Sequence, residues 1–89
     1  MYPSMRLKRS SRRFLVFLVQ RMGPGEVLSL RWYSRALRTI PLDGVDVPVR
    51  SALESLIAHG VIRKSRQGVS WADYDRAMRY LRFEGNDRE

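Results

Sequence analysis

Residues 49–75, VRSALESLIAHGVIRKSRQGVSWADYD, constrain the fold of this chain more than any other stretch. Val49, Ala52, Leu53, Leu56 and Ile57 recur at helical spacing and make one apolar face, with Arg50, Ser51, Glu54 and Ser55 off it. Gly60 stands where a left-handed C-cap belongs, so the helix is expected to end there. Residues 61–71 then read as two short strands around a turn at Arg66-Gln67-Gly68, with Gly68 serving the turn geometry. A last helix is expected behind Ser70, whose spacing to Asp73 resembles a capping box. Trp71, Tyr74, Met78 and Leu81 would be its apolar stripe. A two-stranded hairpin is marginal by itself in water, so the helices on either side must support it. Arg63, Lys64 and Arg66 are crowded onto that hairpin.

Upstream, residues 1–13 carry five positive charges and no negative one, and are expected to form a mobile basic arm containing Arg6, Lys8, Arg9, Arg12 and Arg13. Such an arm either binds phosphates or a minor groove, or is an end with no specific role. Residues 14–19, FLVFLV, are too short for periodicity to separate strand from helix. The apolar run continues to Met22, and Ser10 or Ser11 can cap a start, which favours a helix buried nearly all round. The GPG at 23–25 stops it. EVL at 26–28 is compatible with a short strand. Behind Ser29 as N-cap, Leu30, Tyr33, Leu37 and Ile40 predict a second helix, with Arg31, Arg35 and Arg38 on another face as a phosphate-contacting row or an ordinary solvated one. Residues 41–48 read as a turn-rich connector, with a turn at Asp43-Gly44, Asp46 as a cap and Pro48 in the first turn of the next helix. The division expected is an arm at 1–10, one domain at 11–83 and a frayed tail at 84–89, because 89 residues suffice for one modest core.

Charge narrows the partner. The chain has 17 Lys plus Arg against 9 Asp plus Glu, a formal net charge of +8, and nearly all of the excess is Arg. A small domain this basic is expected to meet a polyanion, usually nucleic acid. There is no Cys, so disulfides and thiolate metal sites are excluded, and the single His59 cannot hold a metal alone. No cofactor is expected. The basic start followed by FLVFLV imitates a signal peptide only faintly, since Gln20 and Arg21 end the run and no cleavage site follows. No segment approaches membrane-spanning length, so an intracellular protein, cytoplasmic or nucleoid-associated, is expected.

The pattern Val49, Arg50, Ala52-Leu53, Leu56, Gly60-Val61-Ile62 and then Arg63 to Gln67 resembles the recognition helix and wing of the winged helix-turn-helix DNA-binding superfamily. The resemblance covers residues 11–83 and is most specific over 49–71. It implies a mainly α fold with a small antiparallel hairpin, in the order α-β-α-α-β-β-α. It also implies a third helix in the major groove and a wing along the backbone or minor groove. On this chain Arg50, Ser51, Glu54 and Ser55 would then face the bases, with Gln67 as a further base-edge reader at the wing tip. Arg63, Lys64 and Arg66, with Arg31, Arg35 and Arg38 on the flank, would contact the DNA backbone. Glu54 either accepts from cytosine or holds Arg50 by an i,i+4 pair, and in both roles it restrains nonspecific binding. The chain departs from the pattern at residues 41–48, which are longer than the usual tight turn.

Other classes of function leave weaker traces. No metal cluster, phosphate-binding Gly loop or nucleophile motif is present, so an enzyme is not expected. His59 is expected simply to sit at a helix C-terminus. The alternative to duplex DNA is an RNA-binding or protein-assembly module on the same scaffold, for which exposed aromatics, Trp32 and Tyr80, would be the sign. The row Trp71, Tyr74, Met78 and Leu81 either packs over the domain's own core or joins a second copy.

Overall fold

The apolar run at 14–19 folds as a helix with a definite inside. The computed structural model describes residues 7–29, 31 and 38–86, with side chains to residue 82. Among them α1 (Arg9–Arg21) buries Ser11, Phe14, Leu15 and Leu18, and Met22 follows on the same face. Val16, Phe17 and Val19 are only half-buried, so the helix is not enclosed all round as its composition suggested. Its N-cap is Lys8, without a side-chain cap; Ser10 and Ser11 lie inside the helix. The helix thus begins within the stretch expected to be mobile, and Leu7 is buried in the core. Arg6 lies outside the described residues. Arg12 and Arg13 are half-buried on α1, and Arg12 donates from Nη2 to the Leu81 carbonyl at 3.2 Å. The chain then reverses at 23–26, where Glu26 N–H donates to the Gly23 carbonyl at 3.1 Å and Gly25 has φ 83°. A type II turn needs that left-handed residue after Pro.

The largest departure from expectation lies at 38–48. The sequence pattern predicts a helix through Ile40 and a connector at 41–48; instead β2 (Thr39–Leu42) and β3 (Val45–Pro48) form an antiparallel hairpin. Asp43 and Gly44 both have positive φ, 54° and 74°. That is the two-residue turn matching the right-handed twist of paired strands, and Asp-Gly supplies it at low steric cost. Ile40 opposes Val47, and both are buried. Val49 N–H donates to the Arg38 carbonyl at 3.0 Å, which fixes the alternation of the ladder. Pro41 and Pro48 then fall on pairs that exchange no hydrogen bonds, where a missing N–H costs nothing. The hairpin also displaces two expected caps. Asp46 is exposed on β3, and Pro48 is itself the N-cap of the next helix, with no side-chain cap bond.

Helix α2 (Val49–Ala58) buries Val49, Ala52, Leu53 and Leu56. Ile57, expected on that face, is 39% exposed. The helix closes as its glycine predicts: Gly60 has φ 78°, its N–H donates to the Ile57 carbonyl, and Val61 N–H donates to the Leu56 carbonyl at 3.1 Å. This is the Schellman pattern, and Val61 and Leu56 are both buried under it. His59 Nδ1 lies 2.8 Å from the Ser55 carbonyl.

Strands β4 (Ile62–Ser65) and β5 (Gly68–Trp71) pair antiparallel, and β1 (Val27–Leu28) adds to β5, giving the sheet order β1-β5-β4. Only Arg66 and Gln67 make the turn. Gly68 is needed for another reason: it has φ 142°, and a Cβ there would collide with the Leu28 carbonyl of β1. Trp71 ends β5 instead of opening a helix, and its Nε1–H donates to the Met22 carbonyl at 2.8 Å. Helix α3 (Tyr74–Asn86) is started by Asp73, whose Oδ1 accepts from Arg76 N–H at 2.9 Å. Ser70 is a strand residue, so the capping box is not formed. Among the described side chains of α3, Ala77 and Tyr80 are buried, with Tyr74 and Leu81 packed at the edge of the core. The described chain is therefore a small mixed fold of three helices and two antiparallel sheets around one core.

Candidate nucleic-acid interface

Strand pairing decides where each basic side chain of the β4–β5 hairpin points. Paired residues share a face, and neighbours along a strand take opposite faces. Leu28, Val69 and Lys64 form one cross-sheet row, and Val69 is fully buried, so that face is the core side. Val27, Ser70 and Arg63 form the other row, and Val27 is 47% exposed, so that face looks away from the core. Lys64 itself is exposed. Arg63 and Lys64, adjacent in sequence, thus belong to opposite faces.

Lys64 is joined by other cations. Ser29, Arg31, Lys64, Ser65, Arg66, Gln67 and Gly68 line a shallow open concavity of about 560 Å³. Three positive side chains and no carboxylate border it. Its backbone is locally ordered: Arg31 N–H donates to Ser29 Oγ, and Gln67 N–H donates to Ser65 Oγ, both at 3.3 Å. Arg63 is not part of it. Sequence reasoning missed Ser29 and Ser65 in this role; Ser65 stands beside the β4–β5 turn, and the pairing of β1 with β5, which no local pattern encodes, brings Ser29 to it.

On α2, Arg50, Ser51 and Glu54 are exposed, whereas Ser55 is half-buried and its carbonyl receives His59 N–H. Arg50 and Glu54 make no ion pair, although they are one turn apart. Arg38 is exposed beside the start of α2, to which its carbonyl is bonded. Arg35 and Trp32 lie outside the described residues. Lys8 and Arg9 are exposed at the start of α1. Asp43 sits at the tip of the β2–β3 hairpin, and the four residues of β3, about 13 Å of extended chain, separate that turn from α2.

Of the two aromatic groups named as candidates for base stacking, Trp32 lies outside the described residues and Tyr80 is not available. Tyr80 is 1% exposed and meets the His59 ring edge-on, with centroids 5.6 Å apart. Trp71 packs edge-on against Tyr74 at 5.3 Å. Among the described residues no group of three or more His, Cys, Asp or Glu could hold a metal ion. No helix among them is long and apolar enough to cross a membrane. No family model matches the chain, and neither the curated proteins nor the solved structures searched contain a match to it.

Proposed function

We propose that this protein binds nucleic acid, and duplex DNA in particular, as a variant winged helix-turn-helix module acting in transcription or chromosome organisation, in the cytoplasm or on the nucleoid. The observation that carries the proposal is the carboxylate-free basic concavity that Arg31, Lys64 and Arg66 border at the wing tip. The sheet order β1-β5-β4 supports the same reading, because a short first strand completing a wing after a helix is the arrangement the resemblance implies. The burial of Tyr80 removes one of the candidate stacking surfaces, which supports duplex over single strands.

In this reading α2 enters the major groove by its N-terminal turn. Arg50 makes the first contact, to guanine or to a phosphate, with Ser51 and Glu54 beside it. Arg31, Arg38, Lys64 and Arg66 hold the flanking phosphates, and Gln67 meets a base edge at the wing tip. The binding unit in this reading is one chain, which the packing of Tyr74 and Leu81 on their own core supports over the pairing of two copies.

A competition among duplex DNA, single-stranded DNA and structured RNA of equal length tests the proposal. Duplex DNA is expected to be preferred, with affinity falling steeply as salt rises. Equal binding to all three, or preference for RNA, would replace it with the RNA-binding alternative.

A further inference from the structure

A second concavity lies away from the wing. It is a groove of about 630 Å³ between α1 and the β2–β3 hairpin. Its floor is apolar, made by Val16 and Phe17 of α1, Leu28 of β1, and Ile40 and Leu42 of β2. Its rim is basic: Arg12, Arg13 and Arg21 stand against one carboxylate, Asp43. No residue of α2 or of the β4–β5 wing lines it.

The groove follows from two features of the fold. The β2–β3 hairpin projects beyond the core, which leaves Leu42 half-buried and its partner Val45 40% exposed. The neighbouring face of α1 keeps Val16 and Phe17 only half-covered. The rim is also organised: the Arg21 guanidinium lies 4.8 Å from the centre of the Phe17 ring, and Arg12 is tied to the Leu81 carbonyl. A nucleic-acid backbone would satisfy the arginines but leave the floor wet. A purely apolar ligand would desolvate the arginines without pairing them. The surface suits a chain with carboxylates on one side and aliphatic or aromatic groups on the other.

We propose that this groove docks an acidic, amphipathic polypeptide segment of a partner protein. Its carboxylates pair with Arg13 and Arg21, and its apolar side chains lie on Val16, Phe17 and Leu42. Because the groove shares no lining residue with the basic concavity at the wing, both can be occupied together.

The probe is a synthetic peptide of about three helical turns, with Leu and Phe on one face and Glu on the other. It is titrated into the isotope-labelled full chain, followed by amide shifts. A scrambled peptide of the same composition is the control. Saturable shifts at residues 13–21 and 40–43 are expected, with the scrambled peptide at least about tenfold weaker. Val16→Gln and Arg21→Gln should each weaken binding about fivefold while the spectrum elsewhere stays folded, and Asp43→Asn should strengthen it about twofold. Equal binding of the scrambled peptide overturns the proposal, as do shifts centred on α2 and the wing. Duplex binding measured on the same Val16→Gln variant separates the two sites: its loss or retention bears on the nucleic-acid reading and leaves the peptide result standing.

Discussion

Arg63 and Lys64 should behave differently on DNA although they are neighbours. The register places Lys64 on the core-side face of the wing with Val69, next to Arg31 and Arg66, and places Arg63 on the opposite face with Ser70. Suppose that Arg31, Arg38, Arg50, Lys64 and Arg66 each neutralise one phosphate. The logarithm of affinity then falls against the logarithm of salt with a slope of about −4.5, at ~0.9 per phosphate. Lys64→Ala together with Arg66→Ala should bring the slope to about −2.7. Arg63→Ala should leave it near its starting value. All three side chains are exposed, so stability should move by less than about 0.5 kcal/mol and not confuse the comparison. The assay is fluorescence anisotropy of a short labelled duplex between about 50 and 200 mM salt, a range over which several phosphate contacts change affinity by orders of magnitude. If Arg63→Ala lowers the slope as much as Lys64→Ala, the face assignment is wrong. If the slope of the parent chain is near zero, the electrostatic mechanism itself is wrong.

Gly68→Ala should destabilise the chain by about 2–3 kcal/mol, from backbone strain plus the loss of β1 pairing, and lower its melting temperature by roughly 10 °C. Gly25→Ala, where φ is also positive but no atom lies within 4 Å, should cost only about 1 kcal/mol in the same melt. Trp71→Phe removes the donor to the buried Met22 carbonyl and should cost about 1–3 kcal/mol in a urea titration; an unchanged midpoint would mean that water takes over the bond. Glu54→Gln removes the one carboxylate on the outer face of α2 and should raise duplex affinity about two- to threefold. A loss of affinity instead would indicate that Glu54 accepts a hydrogen bond from a base.

Local chemistry was legible where it acts within a few residues. Gly60 ends α2 in the left-handed region, and the pattern of Val49, Ala52, Leu53 and Leu56 marks its inner face. The β4–β5 hairpin and its basic tip could be read the same way. The β2–β3 hairpin could have been read, because Asp-Gly between Leu42 and Val45 is a strong two-residue turn signal; the helical spacing of Ile40 to Leu37 competed with it, and pairing with Val47 decided the outcome. Trp71 misled for a related reason. Its spacing to Tyr74 fits a helix, but its ring is held by a bond to Met22, far away in the chain. The third strand of the wing was not legible. It depends on which residues of β1 meet β5, and register between distant strands leaves no periodic trace.

The extra residues before α2 change how the helix is held. In a tight helix-turn-helix the angle of the recognition helix is set by the short turn before it. Here the β2–β3 ladder runs directly into the helix, since Val49 N–H completes it on the Arg38 carbonyl. At the other end the Schellman bonds from Gly60 and Val61 lead straight into β4, and the Val61 carbonyl also accepts from Ala72 and Asp73 N–H just before α3. Helix α2 is therefore tied at both ends to backbone ladders. A docked helix of ten residues gains little from its own propensity, so these ties and its buried face fix its pose. The same hairpin that fixes the N-terminal end also forms one wall of the α1 groove. A ligand that moved β2 within the groove would act on Arg38 and Val49, and through them on the turn of α2 that carries Arg50. The long connector, a departure from the tight turn of the helix-turn-helix pattern, thereby links both proposed binding surfaces.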